Sequence, residues 1–433
     1  MSAAPPLAPD DAISERDVRE GRVAQRHAEL AATLGSVFAS VVPAGRLAGP
    51  CVVLVGNDAL AVATGEAREA LSSEAGWAPL LGTRFGCAVI NADEPQHMQD
   101  RRRWGGAFSP AELARCLSAI RTLVARRTER WATRADFEPY PATRELAFAA
   151  IATTLGGFRD DAMLSRVLAL LSSVLDPPSA GESALDQHRR VVPLRDELEA
   201  LLRTQLARAP AAAGAATRLV DHLRRQDPAI GGDTLLAHLN LLLITGHETT
   251  ASLMAWLLDY ASMPRWLGWL REELDRFVTP EGEAALTALE ALPRLDAFVR
   301  EVGRLQPPLL CAPRVAVRDV DVAGVRIPVR SRVVLGYGGT NRLASAYAEP
   351  HAFRPQRWLD ATLPRPATFS AGHRLCLGMR FALMEAKAAL AHVVARYDIE
   401  RIGTTEPVNT GFWNARPAGG PRLALRPRAA ARS

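Results

Sequence analysis

Residues 369–378, FSAGHRLCLG, place one cysteine, Cys376, between two glycines and just ahead of a run that reads as a helix. A thiolate at a helix mouth faces free amides and the positive end of the helix dipole, which stabilise the anion. Gly372 and Gly378 have no side chains, so backbone can approach the sulfur and whatever it holds. His373 and Arg374 add positive charge beside it. The set suits a metal ligand that must stay ionised next to an anionic group. A buried cysteine in a glycine-rich turn is the alternative for an isolated GxRxCxG. A second break lies in LNLLLITGHETTASLMAWLL, where Gly246, His247, Glu248, Thr249 and Thr250 interrupt an otherwise apolar helical pattern. Buried polar groups without partners cost about 2 kcal/mol or more each, and an interior glycine costs about 1 kcal/mol against alanine. Such local conflicts concentrate at functional sites; a solvated kink or a subunit contact is the alternative. Glu301 and Arg304 in EVGR share one helical face, alone an ion pair worth ~1 kcal/mol or less. His97 and Arg101 stand at i, i+4, a spacing that is often incidental.

The elements that must position these residues are mostly helical. Amphipathic periodicity predicts helices over 16–36, 111–175, a stretch running to 203, 232–262, 264–277, 294–305 and 378–396. Pro110 after Ser109 marks a helix start. CVVLVG (51–56) reads as a strand, and VAVRDVDVAGVRIPVRSRVVLG (315–336) as hairpins punctuated by Gly and Pro. Residues 176–183 read as a loop, and 207–218 as an Ala-rich surface connection. The segment 232–262 spans about 45 Å if helical, and it is apolar on nearly every side, which predicts burial. The expected fold is mainly α with a small β portion late in the chain, as one large domain over residues 1–433.

Composition narrows the function classes. Hydrophobic residues at 48% and charged ones at 23% are ordinary for a water-soluble globular chain. The net charge of +5 is scattered, apart from a small cluster in RLALRPRAAARS, which argues against nucleic-acid binding and leaves an acidic protein partner open. Five widely spaced cysteines with no CxxC pair argue against a disulfide framework or a structural zinc, and predict a reducing, cytoplasmic setting. No basic n-region leads an apolar stretch, and no run of about 18 uninterrupted apolar residues occurs, so neither a secretory signal nor a membrane span is expected.

The ordered motifs resemble the cytochrome P450 superfamily. Phe369, Gly372, Arg374, Cys376 and Gly378 match its FxxGxRxCxG haem loop, and FALMEAK follows. Thr245–Thr250 look like its (A/G)Gx(D/E)TT helix signature, with Thr245 where a smaller residue is commoner. Glu301 and Arg304 are similar to its ExxR, and Arg357 in FRPQRW to the third member of that structural triad. His97 and Arg101, and Arg314 in APRVAV, match its propionate contacts. The motifs cover about residues 90–396. The resemblance implies a cytochrome P450-like domain holding heme b, with Cys376 as the thiolate ligand of iron. It implies Phe369, Gly378 and Gly246 against the cofactor, and His97, Arg101, Arg314 and Arg374 at its propionates. It also implies Glu248 and Thr249 as an acid–alcohol pair serving proton delivery during O2 activation. The side chain of Thr250 is expected about 100° further round the helix.

Monooxygenation of an organic substrate is the implied activity. Substrate contacts are implied for Trp77, Leu81, Phe85, Thr245, Leu309, Leu310, Phe412 and Trp413; their apolar character suggests a medium-to-large apolar substrate, of the kind met in secondary metabolism. The chain ends soon after the cysteine loop, so electrons are expected from a separate ferredoxin or similar protein, with Arg102, Arg103 and Arg380 as candidate contacts on a monomer. A peroxide-driven peroxygenase or a rearrangement catalyst is the rival reading, and a non-catalytic haem sensor a further one.

Overall fold

The computed structural model describes residues 3–9, 12–43, 47–81, 86–175, 184–208, 216–277, 286–359 and 362–428. The periodic segment 16–36 divides into α1 (Glu15–Arg19) and α2 (Val23–Leu34), because Gly21 between them takes φ +69°. Three short helices follow: α3 (Asn57–Thr64), α4 (Ser73–Leu81) and α5 (Gln96–Gly105). The long pattern over 111–175 is three helices, α6 (Pro110–Ala132), α7 (Pro139–Thr154) and α8 (Asp161–Leu175). Ser109 caps α6 by accepting from the Glu112 amide (3.4 Å), and Pro139 opens α7 at the first turn, where its missing N–H is not needed. Then come α9 (Ala184–Ala207), α10 (Leu219–Gln226), α11 (Gly232–Ala261), α12 (Pro264–Phe277), α13 (Leu286–Glu290), α14 (Pro293–Leu305), α15 (Tyr337–Thr340) and α16 (Met379–Arg396). The loop expected at 176–183 and most of the Ala-rich connection lie outside the described residues.

The β portion is not confined to the late segment. A five-stranded sheet runs in the order β1-β2-β7-β4-β3, where β1 is Val37–Val42, β2 Gly49–Leu54, β3 Leu71–Ser72, β4 Cys311–Ala316 and β7 Arg332–Gly336. The strand expected at 51–56 is β2, and it pairs in parallel with β7 through Val53 and Val334. Only β5 (Val320–Val322) and β6 (Val325–Ile327) form the local hairpin that the punctuation suggests. Strands β8 (Tyr397–Ile402), β9 (Val408–Thr410), β10 (Arg416–Ala418) and β11 (Arg422–Pro427) pair as two small ribbons after α16.

Helix α11 organises the helical layer. It is the one helix among the described residues long and apolar enough to cross a bilayer, but it is mostly buried by α7, α9, α12, α14 and α16. Gly246 allows α7 to close on it: a Cβ there would stand 2.8 Å from Ile151 Cγ1. The Thr143 hydroxyl of α7 donates to the Ala251 carbonyl (2.9 Å), a polar stitch across the same contact.

Helix α14 carries a fully buried ion pair. Arg304 donates twice to Glu301, at 2.9 and 2.8 Å, and Arg357 Nε donates to Glu301 Oε1 (3.1 Å). The Trp358 indole N–H also donates to Glu301 (2.8 Å), which adds a fourth member to the expected triad. Arg304 spends its remaining donors on the carbonyls of Asn341, Pro350 and Ala352. Every charge is therefore paired, the condition under which a buried ionic cluster holds. We expect Glu301→Ala to strand two arginines and cost about 3–5 kcal/mol, a large share of a stability of about 5–15 kcal/mol. Urea unfolding and haem content of the purified variant measure this; native values for both would show that the cluster carries no structural load.

Candidate functional site

A cavity of about 230 Å³ lies where α5, α11, β4 and the loop before α16 meet. The loop wall is built from Phe369, Arg374, Cys376 and Gly378. Its path turns back on itself: the Cys376 amide donates to the Phe369 carbonyl (2.8 Å). Gly372 is required twice over, since it takes φ +53° and a Cβ there would stand 2.5 Å from Thr64 Oγ1. Cys376 is exposed and lines the cavity. Burial pushes its thiol up, while the Gly378 amide and the Arg101 and Arg365 guanidinium groups favour the thiolate.

Of the five cysteines, Cys376 alone lines the cavity. Cys311 is fully buried, and strand alternation decides its direction. Ala312 and Arg314 of β4 face the cavity, so Cys311 faces away, with its sulfur 3.8 Å from His27 Nδ1.

One end of the cavity is strongly cationic. His97 and Arg101 come from α5, Arg314 from β4 and Arg374 from the loop. Each is braced from behind. His97 Nδ1 is 2.9 Å from Glu94 Oε1, Arg101 donates to the Leu375 carbonyl (2.6 Å), Arg314 to that of Pro313 (2.6 Å), and Arg374 to that of Ala92 (2.9 Å). Arg374 Nη1 is buried without any hydrogen-bond partner. Burial lowers Arg314, and burial with repulsion from Arg314 brings Arg374 down to about 10. A bound dianion would satisfy the free donor and offset the crowded charge. A haem fits these residues: its propionates meet the cations, and the sulfur faces the space that the macrocycle would fill.

The opposite wall is α11, where Thr245, Gly246 and Thr249 line the cavity, and Thr250, one residue further round the helix, borders it as well. The Thr249 hydroxyl donates to the Thr245 carbonyl (2.9 Å) and the Thr245 hydroxyl to the Leu241 carbonyl (2.7 Å), which leaves both oxygens able to accept from the cavity.

Glu248 does not line the cavity. Its carboxylate is turned to α7, where the Tyr140 hydroxyl donates to it and Arg144 pairs with it. His247 Nε2 is 3.1 Å away but not aligned for a hydrogen bond. Burial alone would raise this carboxyl; the His247 ring, the Arg144 guanidinium and the Tyr140 hydroxyl outweigh it and hold it at about 2. The acid and the alcohol are thus neighbours in sequence that face different surroundings.

The expected substrate contacts divide. Trp77, Thr245 and Leu309 line the cavity. Leu81 does not; it packs between two apolar clusters. Leu310 points opposite to Leu309, into a separate cluster with Phe412 and Trp413, whose rings meet edge to face at 4.8 Å. Phe85 lies outside the described residues. Sequence reasoning missed Trp104, Phe108 and Ile151, which also line the cavity. Trp104 and Phe108 continue the i, i+4, i+7, i+11 stripe begun by His97 and Arg101, so a readable signal existed. Ile151 reaches the site only through the α7–α11 packing.

Fold and site together define a haem-thiolate oxidoreductase. The Cytochrome P450 family profile matches residues 208–418. A relative from Sinorhizobium fredii (strain NBRC 101917 / NGR234), the "Cytochrome P450 BJ-4 homolog", is 30% identical over 313 residues, 70% of this chain and 69% of that protein. The "Putative cytochrome P450 136" of Mycobacterium tuberculosis (strain ATCC 25618 / H37Rv) is 27% identical over 405 residues, 88% of this chain and 80% of its own length. A solved structure titled "Retinoic acid bound cyanobacterial CYP120A1" shares the fold with a TM-score of 0.82 at 20% identity, covering 99% of this chain and 100% of that one. The chain belongs to the cytochrome P450 family. Its cofactor is haem with cysteine-thiolate ligation of iron, and its chemistry is that of a monooxygenase.

The pairing of Glu248 makes a pH prediction. Its carboxyl titrates lower in the folded chain than in the unfolded one, so the stability it adds is full above about pH 4.5 and is lost as pH falls towards about 2. Glu248→Gln should be less stable than the native protein at neutral pH by about 2–3 kcal/mol, and the two should converge in acid. Thermal melts across that range measure it; a constant difference would show that the carboxylate is not held ionised.

Proposed function

We propose that this protein inserts one oxygen atom of O2 into a medium-to-large apolar organic substrate, with Cys376 as the iron ligand and electrons from a separate ferredoxin-type partner. The carrying observation is the Cys376 sulfur opening into a cavity ringed by His97, Arg101, Arg314 and Arg374, with one arginine nitrogen left unpaired. When bound, the haem supplies O2 activation, helped by electron density from the thiolate. The second oxygen atom leaves as water, so each turnover consumes two electrons and two protons.

This chain's own residues do the rest. Phe369, Gly378 and Gly246 leave a smooth wall for the cofactor. Thr249, held to its helix by the bond to the Thr245 carbonyl, offers an acceptor oxygen and a hydroxyl within the cavity for passing a proton. Trp77, Ile151, Leu242, Leu253 and Leu309 exclude water and favour apolar surface, which supports the substrate class. For the partner, Arg102 and Arg380 stand exposed near the cysteine loop, whereas Arg103 is drawn to Asp227 at 3.3 Å. All five cysteines are unpaired, which supports a reducing, cytoplasmic setting; a role in secondary metabolism belongs to the same proposal and rests on the apolar cavity alone.

A peroxide-driven or rearrangement reaction is the second reading, and the orientation of Glu248 favours it, because neither needs an acid relay to the cavity. Product, peroxide and reductant are measured on one preparation, with surrogate ferredoxin and reductase or with peroxide alone. The monooxygenase reading expects product with the electron donor, and expects Thr249→Ala to release hydrogen peroxide at the cost of product by about 10-fold or more. Product with peroxide alone would move the second reading ahead.

The ligand assignment has its own check. Cys376→Ala should lose the red-shifted Soret band of the reduced carbon monoxide complex, while Cys311→Ala keeps it. The reverse pattern would transfer the ligand role to the strand.

A further inference from the structure

We propose that Glu94 is a positioning residue that lets His97 hold a haem propionate, so that Glu94, His97 and the propionate together take up one proton when haem binds. This rests on the reading that His97 faces the propionates.

His97 is buried at 1% exposure and lines the cationic end of the cavity. Its Nδ1 lies 2.9 Å from Glu94 Oε1. The other carboxylate oxygen accepts from the Met98 amide (3.2 Å), so Glu94 is fixed across the first turn of α5. A ring nitrogen this close to a carboxylate oxygen must have a proton between them. In a neutral ring that is the only proton, and Nε2 then presents a lone pair. A lone pair facing an ionised propionate oxygen repels it.

One further proton removes the conflict. It can sit on Nε2, giving an imidazolium between two carboxylates. It can sit on Glu94, with the ring's own proton on Nε2. It can sit on the propionate, donating to Nε2. All three arrangements hold one proton more than the pair and the propionate hold apart.

The surrounding charges point the same way. His97 is influenced by Arg101 on its own helix, Arg374 in the cysteine loop and Glu94; Arg314 of β4 and Tyr337 line the same cavity, while Asp93 lies 4.0 Å from Arg374 and accepts from the Ser73 and Glu74 amides. Burial, then Arg374, lower His97 to about 4, with Arg101 adding to this and Glu94 opposing it. Two bound propionates would offset the positive charge of the arginines, and so weaken the field that disfavours charging the ring.

The test follows haem transfer from the holoenzyme to excess apomyoglobin from about pH 5.5 to about pH 9, a readout independent of turnover. Native protein should lose haem slowly at low pH, then faster by up to about tenfold per pH unit once the pair is deprotonated. In Glu94→Gln the amide still accepts from Nδ1 but carries no charge, so the inflection should fall by about one pH unit or more. His97→Gln keeps an N–H donor that does not titrate, so the inflection should vanish. An unchanged inflection in Glu94→Gln, with a flat His97→Gln, overturns the role of Glu94 and leaves the His97 contact standing. An inflection that survives in His97→Gln overturns the underlying reading as well. If Glu94→Gln yields little holoprotein, haem occupancy becomes the readout: Glu94→Asp should restore it with the charge, and equal loss in both overturns the proposal.

Discussion

Three arginines and one histidine directed at one cavity set the terms for the rest of this molecule. Buried charge without a partner is among the most expensive things a fold can hold, and here His97, Arg101, Arg314 and Arg374 converge from three segments far apart in sequence. Backbone carbonyls and Glu94 brace them but do not neutralise them. The arrangement makes sense only with a dianion in place, so the stability of the native chain and the occupancy of its site are linked by mass action. The unpaired Arg374 nitrogen is the clearest mark of that dependence.

Such a site needs a frame that does not relax around it. The paired cluster on α14 provides one, and it connects directly to the cysteine loop. Next to Arg304, the Gly303 carbonyl accepts from the Thr368 hydroxyl (2.8 Å), one residue before Phe369. The Asn341 carbonyl takes a bond from Arg304 while the Asn341 side chain accepts from the Ala367 amide (2.7 Å). The buried ion pairs therefore act at a distance from the sulfur through two short hydrogen-bonded steps. A loop anchored in this way keeps its sulfur aimed with no more regular structure than two single 3-10 turns, Ala367–Phe369 and Gly372–Arg374.

The residues that do chemistry were more legible in the sequence than the contacts that aim them. The cysteine loop is local, so Gly372, Arg374, Cys376 and Gly378 reveal themselves by type and spacing. The α5 stripe of His97 and Arg101 is likewise a helix-face pattern, and carried two turns further it reaches Trp104 and Phe108. Strand β3 was missed because its partner β4 lies in the chain's other half, whereas β1 pairs with the adjacent β2 and its apolar run, Val37–Val42, was readable. The long helical pattern over 111–175 concealed two breaks, at 133–138 and 155–160, because α7 between them is apolar on nearly every side and gives no stripe whose interruption could be read. The division of Leu309 from Leu310 follows from strand alternation, yet assigning each to a side needs the neighbouring sheet. Ile151 and the Trp358 indole are visible only once helices and loops have packed.

The same logic explains the acid of α11. Successive helix residues diverge by about 100°, so adjacent side chains do not share a direction. With Thr249 and Thr250 both lining the cavity, Glu248 lies about 100° from the first and about 200° from the second, and it faces α7, which meets it with Tyr140 and Arg144. Gly246, which brings α7 close enough to place Ile151 in the cavity wall, sits on the same stretch of α11. Close packing of these two helices therefore shapes the apolar wall and immobilises the acid at once. A route for protons that used Glu248 would have to loosen contacts that also hold the wall. Proton supply and cavity shape draw on one interface, so a change that frees the carboxylate also changes what the cavity admits.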